Sequence, residues 1–392
     1  MNVPRRVAHG GRNASKPLRA FVACLILLAT PAMSSAGFLS RLFPKDLEKL
    51  NRKLCGRILD FTHNHGKDHR NWSPSVCGQR DLYVYLPPGY DGIKKFPLLI
   101  WLHGFSQDEE TFLQFAPMFD RAIVNGKFPP VILAVPDGSI RERPTPFNAG
   151  SFYLNSKAGR FEDLIMNDVW EFLFANFAIR PERQSHAFVG ASMGGFSAFN
   201  LGIKHHERVG VVAGLLPLLN LRYADCLGRR FHDFDPACQG WVEKYRPLSY
   251  SGKIMHFIPV LTGRAMRPLA NRNEMRDYIA SENPIEMLNC YDIKPGDLTM
   301  WVGYGTRDDF NVDAQVEGFI WHAQQRGVHV DSSVICNGRH DRITAQKLFP
   351  MLSEWLGARL GPYAPCCYPT VPITAPPEPA AKSADTNQPV PQ

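Results

Sequence analysis

Residues 186–204, HAFVGASMGGFSAFNLGIK, decide how the chain is read. After His186 the next six are apolar or small, the mark of a strand buried on both faces, and Gly195 to about Lys204 follows as a helix. At the junction, Gly190-Ala191-Ser192-Met193-Gly194 matches G-x-S-x-G. A serine on so sharp a strand-to-helix turn needs strained backbone angles and close neighbours, which side chains at 190 and 194 would block. The helix then turns its N-terminal amides toward the serine, where they favour developing negative charge.

The same strand form recurs on either side. DLYVYLP (81–87) alternates, while FPLLIWLHG (96–104) and VILAVPDG (131–138) are continuous apolar runs. VGVVAGLL (209–216), LTMWVG (298–303) and VDSSVIC (330–336) are further predicted strands. DLIMNDVWEFLFANF (163–177), DAQVEGFIWHAQQRG (313–327) and Arg342–Leu360 are predicted helices. Strands alternating with helices of this length imply an α/β fold with a mostly parallel sheet, helices on both faces and crossover connections. In such sheets the site lies beyond the carboxyl ends of the strands, so functional residues should sit just after them.

That filter selects partners for Ser192. A serine hydroxyl needs a base to take its proton and an acid to orient that base, in the chain order Ser, acid, His. The strand at 298–303 leads into Tyr304-Gly305-Thr306-Arg307-Asp308-Asp309-Phe310, and the strand ending at Cys336 leads into Asn337-Gly338-Arg339-His340-Asp341. His340 is assigned as the general base, and Asp308 is favoured over Asp309 as the acid. Oxyanion stabilisation needs two backbone N–H donors. Met193, after the nucleophile, and Phe105, after the strand ending at Leu102, are nominated. His103 is read as a loop-holding residue, and Phe152 and Tyr153 as candidates for the substrate pocket.

YLPPGYDGIKKFPLLIWLHGF (85–105), VILAVPDG, SFYLN…FEDLI (151–165) and GASMGGFSAFNLGIKHHERV (190–209) together resemble the "putative esterase" (esterase D-like) family of the α/β-hydrolase superfamily. The resemblance runs over roughly 80–360. It implies an α/β-hydrolase sheet, a Ser192–Asp308–His340 triad with Phe105 and Met193 as oxyanion donors, and no metal or cofactor. The function expected is a serine carboxylesterase working through an acyl-enzyme on a small-molecule or cell-wall/glycan ester. An acyltransferase sharing that intermediate, or a binding module on a hydrolase fold, are the rival readings.

Composition sets the remaining bounds. The 392 residues are 44% hydrophobic and 21% charged, ample for one large core. Of the net charge of +7, residues 1–36 supply +5 through Arg5, Arg6, Arg12, Lys16 and Arg19, so the rest is near neutral and has no nucleic-acid footprint. This basic stretch, with the apolar run Ala20–Ala29 and small residues to Ala36, is an expected signal peptide cleaved near Ala36, giving a secreted or periplasmic protein. The run is too short for a bilayer span. Eight cysteines then remain, an even count that points to disulfides; local pairing suggests Cys55–Cys77 and Cys226–Cys238, with buried free thiols as the alternative for Cys290 and Cys336. Residues 37–80 are read as a disulfide-tied N-terminal arm and 81–360 as the catalytic domain. About 217–297 is an inserted cap, in which Arg222, Arg229 and Arg230 are read as solvated surface, with contact to an acidic substrate as the alternative. Residues 361–392, with nine of 32 prolines, are expected to form an extended tail. His63, His65 and His69 are closely spaced but fit no zinc pattern, and are read as loop packing.

Overall fold

The computed structural model describes residues 47–65, 67–141, 150–254 and 256–365. The expected signal segment and nearly all of the Pro-rich tail lie outside them. Eight strands form one sheet: β1 (Arg57–Phe61), β2 (Leu82–Leu86), β3 (Leu98–Leu102), β4 (Ile132–Pro136), β5 (His186–Ala191), β6 (Val211–Leu215), β7 (Thr299–Gly305) and β8 (Val330–Ile335). Their order is β1-β2-β4-β3-β5-β6-β7-β8. Only β2 runs against its neighbours, pairing antiparallel with β1 and β4, while every other pair is parallel. This is the α/β-hydrolase fold.

Two apolar layers sandwich the sheet. One holds Phe188, Phe196, Phe199 and Phe319 with the helical stretch from Phe161 to Asn176. The other holds Phe112, Phe119, Trp301 and Leu356. Its helices are α1 (Ala116–Val124) and α4 (Arg342–Leu360), while α2 (Met193–Lys204) and α3 (Val312–Gln325) belong to the first layer. Because β5 has neighbours on both edges and helices on both faces, its residues through Gly190 are buried, as the unbroken apolar run requires. Each buried Val or Phe there contributes ~1.5–3 kcal/mol, which makes the strand carrying Ser192 a stiff support.

The segment read as an N-terminal arm supplies the edge strand β1 and the short ribbon of Asn71–Ser73 with Gly78–Arg80. The expected Cys55–Cys77 bridge is absent and both thiols are free. Cys55 is tied by its backbone N–H to Asp120 of α1, while the turn carrying Cys77 is tied through Ser73 and Ser75 to Asp168. Those anchors lie in opposite layers of the sandwich, so the two sulfurs are held apart. Cys226 and Cys238 are disulfide-bonded, closing a 12-residue separation inside the insertion. Cys290 and Cys336 are free but exposed, not buried.

The insertion between β6 and β7 consists of two ribbons and three short helices. One ribbon pairs Tyr223–Asp225 with Gln239–Trp241, and the other pairs Tyr250–Ile254 with Ile258–Leu261. The helices are Thr262–Met266, Met275–Ser281 and Pro284–Cys290. Among the described residues, no helix is long and apolar enough to cross a membrane.

Candidate active site

Ser192 stands between the end of β5 and the start of α2 with φ 55° and ψ −115°, a conformation that costs an L-residue of order 1–3 kcal/mol. Its own N–H is held by the Leu215 carbonyl at 2.9 Å, which locks the turn onto β6. A Cβ at Gly194 would collide with the Leu102 carbonyl, and one at Gly190 with the Gly194 carbonyl at 2.3 Å. The two glycines therefore let the turn pack against the end of β3, the steric requirement read from the sequence.

The acid and base loops leave adjacent strands, β7 and β8. They touch back to back: a Cβ at Gly305 would lie 2.4 Å from the Gly338 carbonyl carbon, and the Arg307 N–H donates to the Gly338 carbonyl at 3.0 Å. This contact sets Asp308 beside His340. The His340 Nδ1–H donates to Asp308 Oδ2 at 2.8 Å, and His340 Nε2 accepts from the Ser192 hydroxyl at 2.8 Å. Asp308 is fully buried, and its other oxygen accepts the Phe310 N–H at 2.8 Å. Phe310 also sets its ring edgewise to the imidazole, with centroids 4.7 Å apart. Burial works to lower the His340 pKa, but the Asp308 carboxylate, helped by Asp309 and Asp341, holds it above the ordinary histidine value.

Asp309 faces away from this pair. It accepts from Arg339 at 2.7 Å and bonds His256 Nδ1 at 2.6 Å. Although burial pushes the other way, the hydrogen bonds from the Arg339 guanidinium and from His256 keep its carboxyl below the usual aspartate range. His256 lies on the turn of an insertion ribbon, and its Nε2 is also 3.5 Å from Asp341. The insertion thus reaches the acid and base loops, a contact with no signal in local sequence.

The donors nominated for an oxyanion lie on either side of Ser192. Met193 is the first residue of α2, where an N–H has no intrahelical acceptor. On the opposite side, the Gly104 carbonyl accepts from His103 Nδ1–H at 3.0 Å and from the Gln107 N–H at 3.2 Å. Since the Gly104–Phe105 peptide is trans, pinning its carbonyl turns the Phe105 N–H the other way. His103 is buried, and its Nε2 accepts the Gly138 N–H at 2.9 Å, which fixes the proton on Nδ1. A Cβ at Gly150 would meet both Met193 Sδ and, at 3.3 Å, the Phe105 ring, so the two nominated residues are near neighbours.

Phe152 and Tyr153 follow the loop after β4. They are 2% and 0% exposed, and both adopt positive φ. The Tyr153 hydroxyl accepts the His103 N–H at 3.0 Å, and the Phe152 carbonyl accepts from Ser197 at 2.8 Å. They brace the loop before Phe105. The histidines at 63, 65 and 69 are not drawn together: His63 bonds Asp81, His65 Nε2 bonds the Tyr83 hydroxyl at 2.7 Å, and the His69 backbone N–H bonds the Thr62 carbonyl at 2.9 Å. Among the described residues, no group of three or more His, Cys, Asp or Glu could hold a metal ion. Arg222 pairs with Glu243 and Glu286, and Arg229 with Asp225.

A strained serine beyond a parallel sheet, with an imidazole and a carboxylate in file behind it, defines a protein of the α/β-hydrolase class. The model of the family described as "Putative esterase" matches residues 73–343, and the chain belongs to that family. It is 29% identical over 154 residues to endo-1,4-beta-xylanase Y of Acetivibrio thermocellus, a match covering 38% of this chain and 12% of the relative. An endo-1,4-beta-xylanase/feruloyl esterase of Xylanibacter ruminicola is 25% identical over 159 residues, 38% of this chain and 21% of the relative. S-formylglutathione hydrolase of Arabidopsis thaliana is 24% identical over 209 residues, 47% and 71% respectively. The chain thus spans about an eighth to a fifth of the length of the two xylanase-bearing relatives. Among solved structures, an S-formylglutathione hydrolase from Agrobacterium tumefaciens superposes with TM-score 0.56 at 13% identity, covering 79% of this chain and 97% of the other. A ferulic acid esterase gives 0.54 at 16% identity, covering 79% and 100%. Both share the fold.

Proposed function

We propose that the protein is an exported serine carboxylesterase whose nucleophile is Ser192. The observation that carries this reading is the unbroken hydrogen-bonded file Ser192 Oγ–His340–Asp308, with both links at 2.8 Å. Family membership supports the reaction class. As Ser192 Oγ attacks the ester carbonyl, its proton passes to His340 Nε2, and Asp308 stabilises the imidazolium. The carbonyl oxygen, now negative, is held by the N–H groups of Met193 and Phe105. Collapse expels the alcohol, which takes the proton from His340, and leaves an acyl-enzyme. Water then repeats the sequence in reverse and frees the acid. The class of ester follows the named relatives: aromatic acyl esters such as ferulates, or thioesters. Export rests on the basic-apolar N-terminal segment and the Cys226–Cys238 bridge.

The test uses short p-nitrophenyl esters and a fluorophosphonate probe on the purified protein and on Ser192→Ala. The wild type should hydrolyse the esters without added metal and be labelled once per chain, while the variant does neither at unchanged thermal stability. Full turnover by the variant would remove Ser192 from the mechanism. Product analysis with a competing alcohol separates hydrolysis from acyl transfer.

A further inference from the structure

The three insertion arginines flagged in the sequence have different fates. Arg222 and Arg229 are neutralised by carboxylates, but Arg230 has none among the described residues. Its guanidinium donates only to the hydroxyls of Ser249, at 3.0 Å, and Thr262, at 3.3 Å. Burial without a counter-charge pushes its pKa below the ordinary arginine value. The half-buried guanidinium therefore carries its charge with no carboxylate beside it, and its Nε and second Nη make no hydrogen bond among the described residues.

Arg230 borders a cavity of about 30 Å³ whose walls also carry Arg222, Lys244, Arg246 and Arg276, and no carboxylate faces it. Arg276 is held by Glu243 and Asp277, whereas Lys244 and Arg246 make no ion pair among the described residues. Since ~10–15 Å³ on this measure holds one water, the space takes one compact polar group and not a whole sugar or ring. The Ser249 and Thr262 hydroxyls hydrogen-bond each other at 2.9 Å, which fixes them at the wall.

Two contacts link residues around the cavity to the loop that carries Asp308. The Arg230 carbonyl accepts from the Asn311 side chain at 3.2 Å, three residues after Asp308. The ribbon bearing Ser249 at its edge packs on Phe310, since a Cβ at Gly252 would strike that ring, and Phe310 lies against His340. We propose that this cavity is a subsite for a compact oxyanion, a carboxylate or phosphate carried by the ester substrate, with Arg230 as its principal ligand. Arginine's planar fork suits such groups, and the bound anion would supply the missing counter-charge. The inference deepens the esterase reading and rests on it for the word substrate, though not for the anion site itself.

Inorganic phosphate is the first probe, titrated calorimetrically into the wild type, Arg230→Gln and Arg230→Lys. Saturable binding should weaken at least tenfold in Arg230→Gln and recover in part in Arg230→Lys, with thermal melting of all three alike. The second arm compares p-nitrophenyl half-esters of dicarboxylic acids of increasing length, and carboxy-substituted nitrophenyl acetates, with their uncharged counterparts. For one chain length or ring position, the acid should raise kcat/KM at least tenfold through KM, and Arg230→Gln should erase that gain while leaving the uncharged esters within twofold. Equal phosphate binding by wild type and Arg230→Gln overturns the site. Phosphate binding with no advantage for any charged ester overturns its role in substrate recognition and leaves an effector site. If the wild type hydrolyses no ester at all, the esterase reading fails while the phosphate arm still decides the site.

Discussion

The rim of the sheet and the insertion above it are built on opposite plans. At the rim, each reactive side chain leaves a strand whose neighbours are fixed by ladder hydrogen bonds. The separations among Ser192, Asp308 and His340 follow from the adjacency of β5, β6, β7 and β8. In the insertion, two short ribbons and three short helices stand apart from the sheet and are tied down by side-chain contacts: one disulfide, the Arg222 pairs, and the His256–Asp309 bond. The rim should therefore respond to substitution in kcat and in all-or-none fashion. The insertion should respond in KM and by degrees.

The sharpest way to break that contrast is Ser192→Gly. Hydrolysis should vanish, a loss of roughly 10⁴-fold or more. Glycine accepts φ 55° without penalty, so the folded state should gain about 1 kcal/mol, read as a higher Tm. A lower Tm would mean the turn is not strained at this residue. Next comes the paired aspartate. Asp308→Asn should cost about 10⁴-fold in kcat by removing the acceptor that fixes the imidazole tautomer. Asp309→Asn should cost about tenfold or less, because its carboxylate serves Arg339 and His256. Reversed effects would transfer the acid to position 309.

His103 tests whether the rim's rigidity extends to the oxyanion donors. His103→Leu removes the Nδ1–H that pins the Gly104 carbonyl and leaves the Phe105 N–H free to turn. Loss of one donor costs ~10²–10³ in kcat. KM for short esters should stay within about twofold, and a trifluoromethyl ketone, which forms a tetrahedral oxyanion adduct, should weaken in proportion to kcat. If melting stays intact but KM changes instead, His103 shapes binding and not the peptide's direction.

What the sequence discloses divides along the same line. Continuous apolar runs announce β3 to β7 because strands buried on both faces leave no room for polar residues. G-x-S-x-G and the glycines at 305 and 338 announce close backbone approaches. β1 escapes because RILDF is an edge strand with one buried side chain, Ile58, so its pattern has no period. The bracing contact of the Tyr153 hydroxyl with the His103 N–H is not legible either, because aromatics after a strand look alike whether they line a pocket or brace a loop. His256 carries no local signature at all, and nothing in the sequence separates Arg230 from Arg222 and Arg229. One is distinguished by reaching Asp309 across the chain, and the other by the partner it lacks.

The smallest expected effect joins the two regions. The proposed mechanism needs neutral His340, and the pKa of His340 is raised, so the acidic limb of kcat/KM should lie above the reference of ~6.5. The sign for stability is opposite. A histidine whose folded pKa is raised adds stability that is complete below ~6.5 and is lost as pH rises through the folded value. Activity should therefore climb over the window in which this contribution to ΔG declines. Asp309 adds to the negative field on the imidazole, so Asp309→Asn should move the limb toward ~6.5 by under about one unit. His256→Gln keeps that charge but frees Asp309 from the insertion, and should leave the limb in place while raising KM. If His256→Gln shifts the limb as far as Asp309→Asn does, the ribbon acts on the base itself, and the separation between a rim that sets kcat and an insertion that sets KM fails.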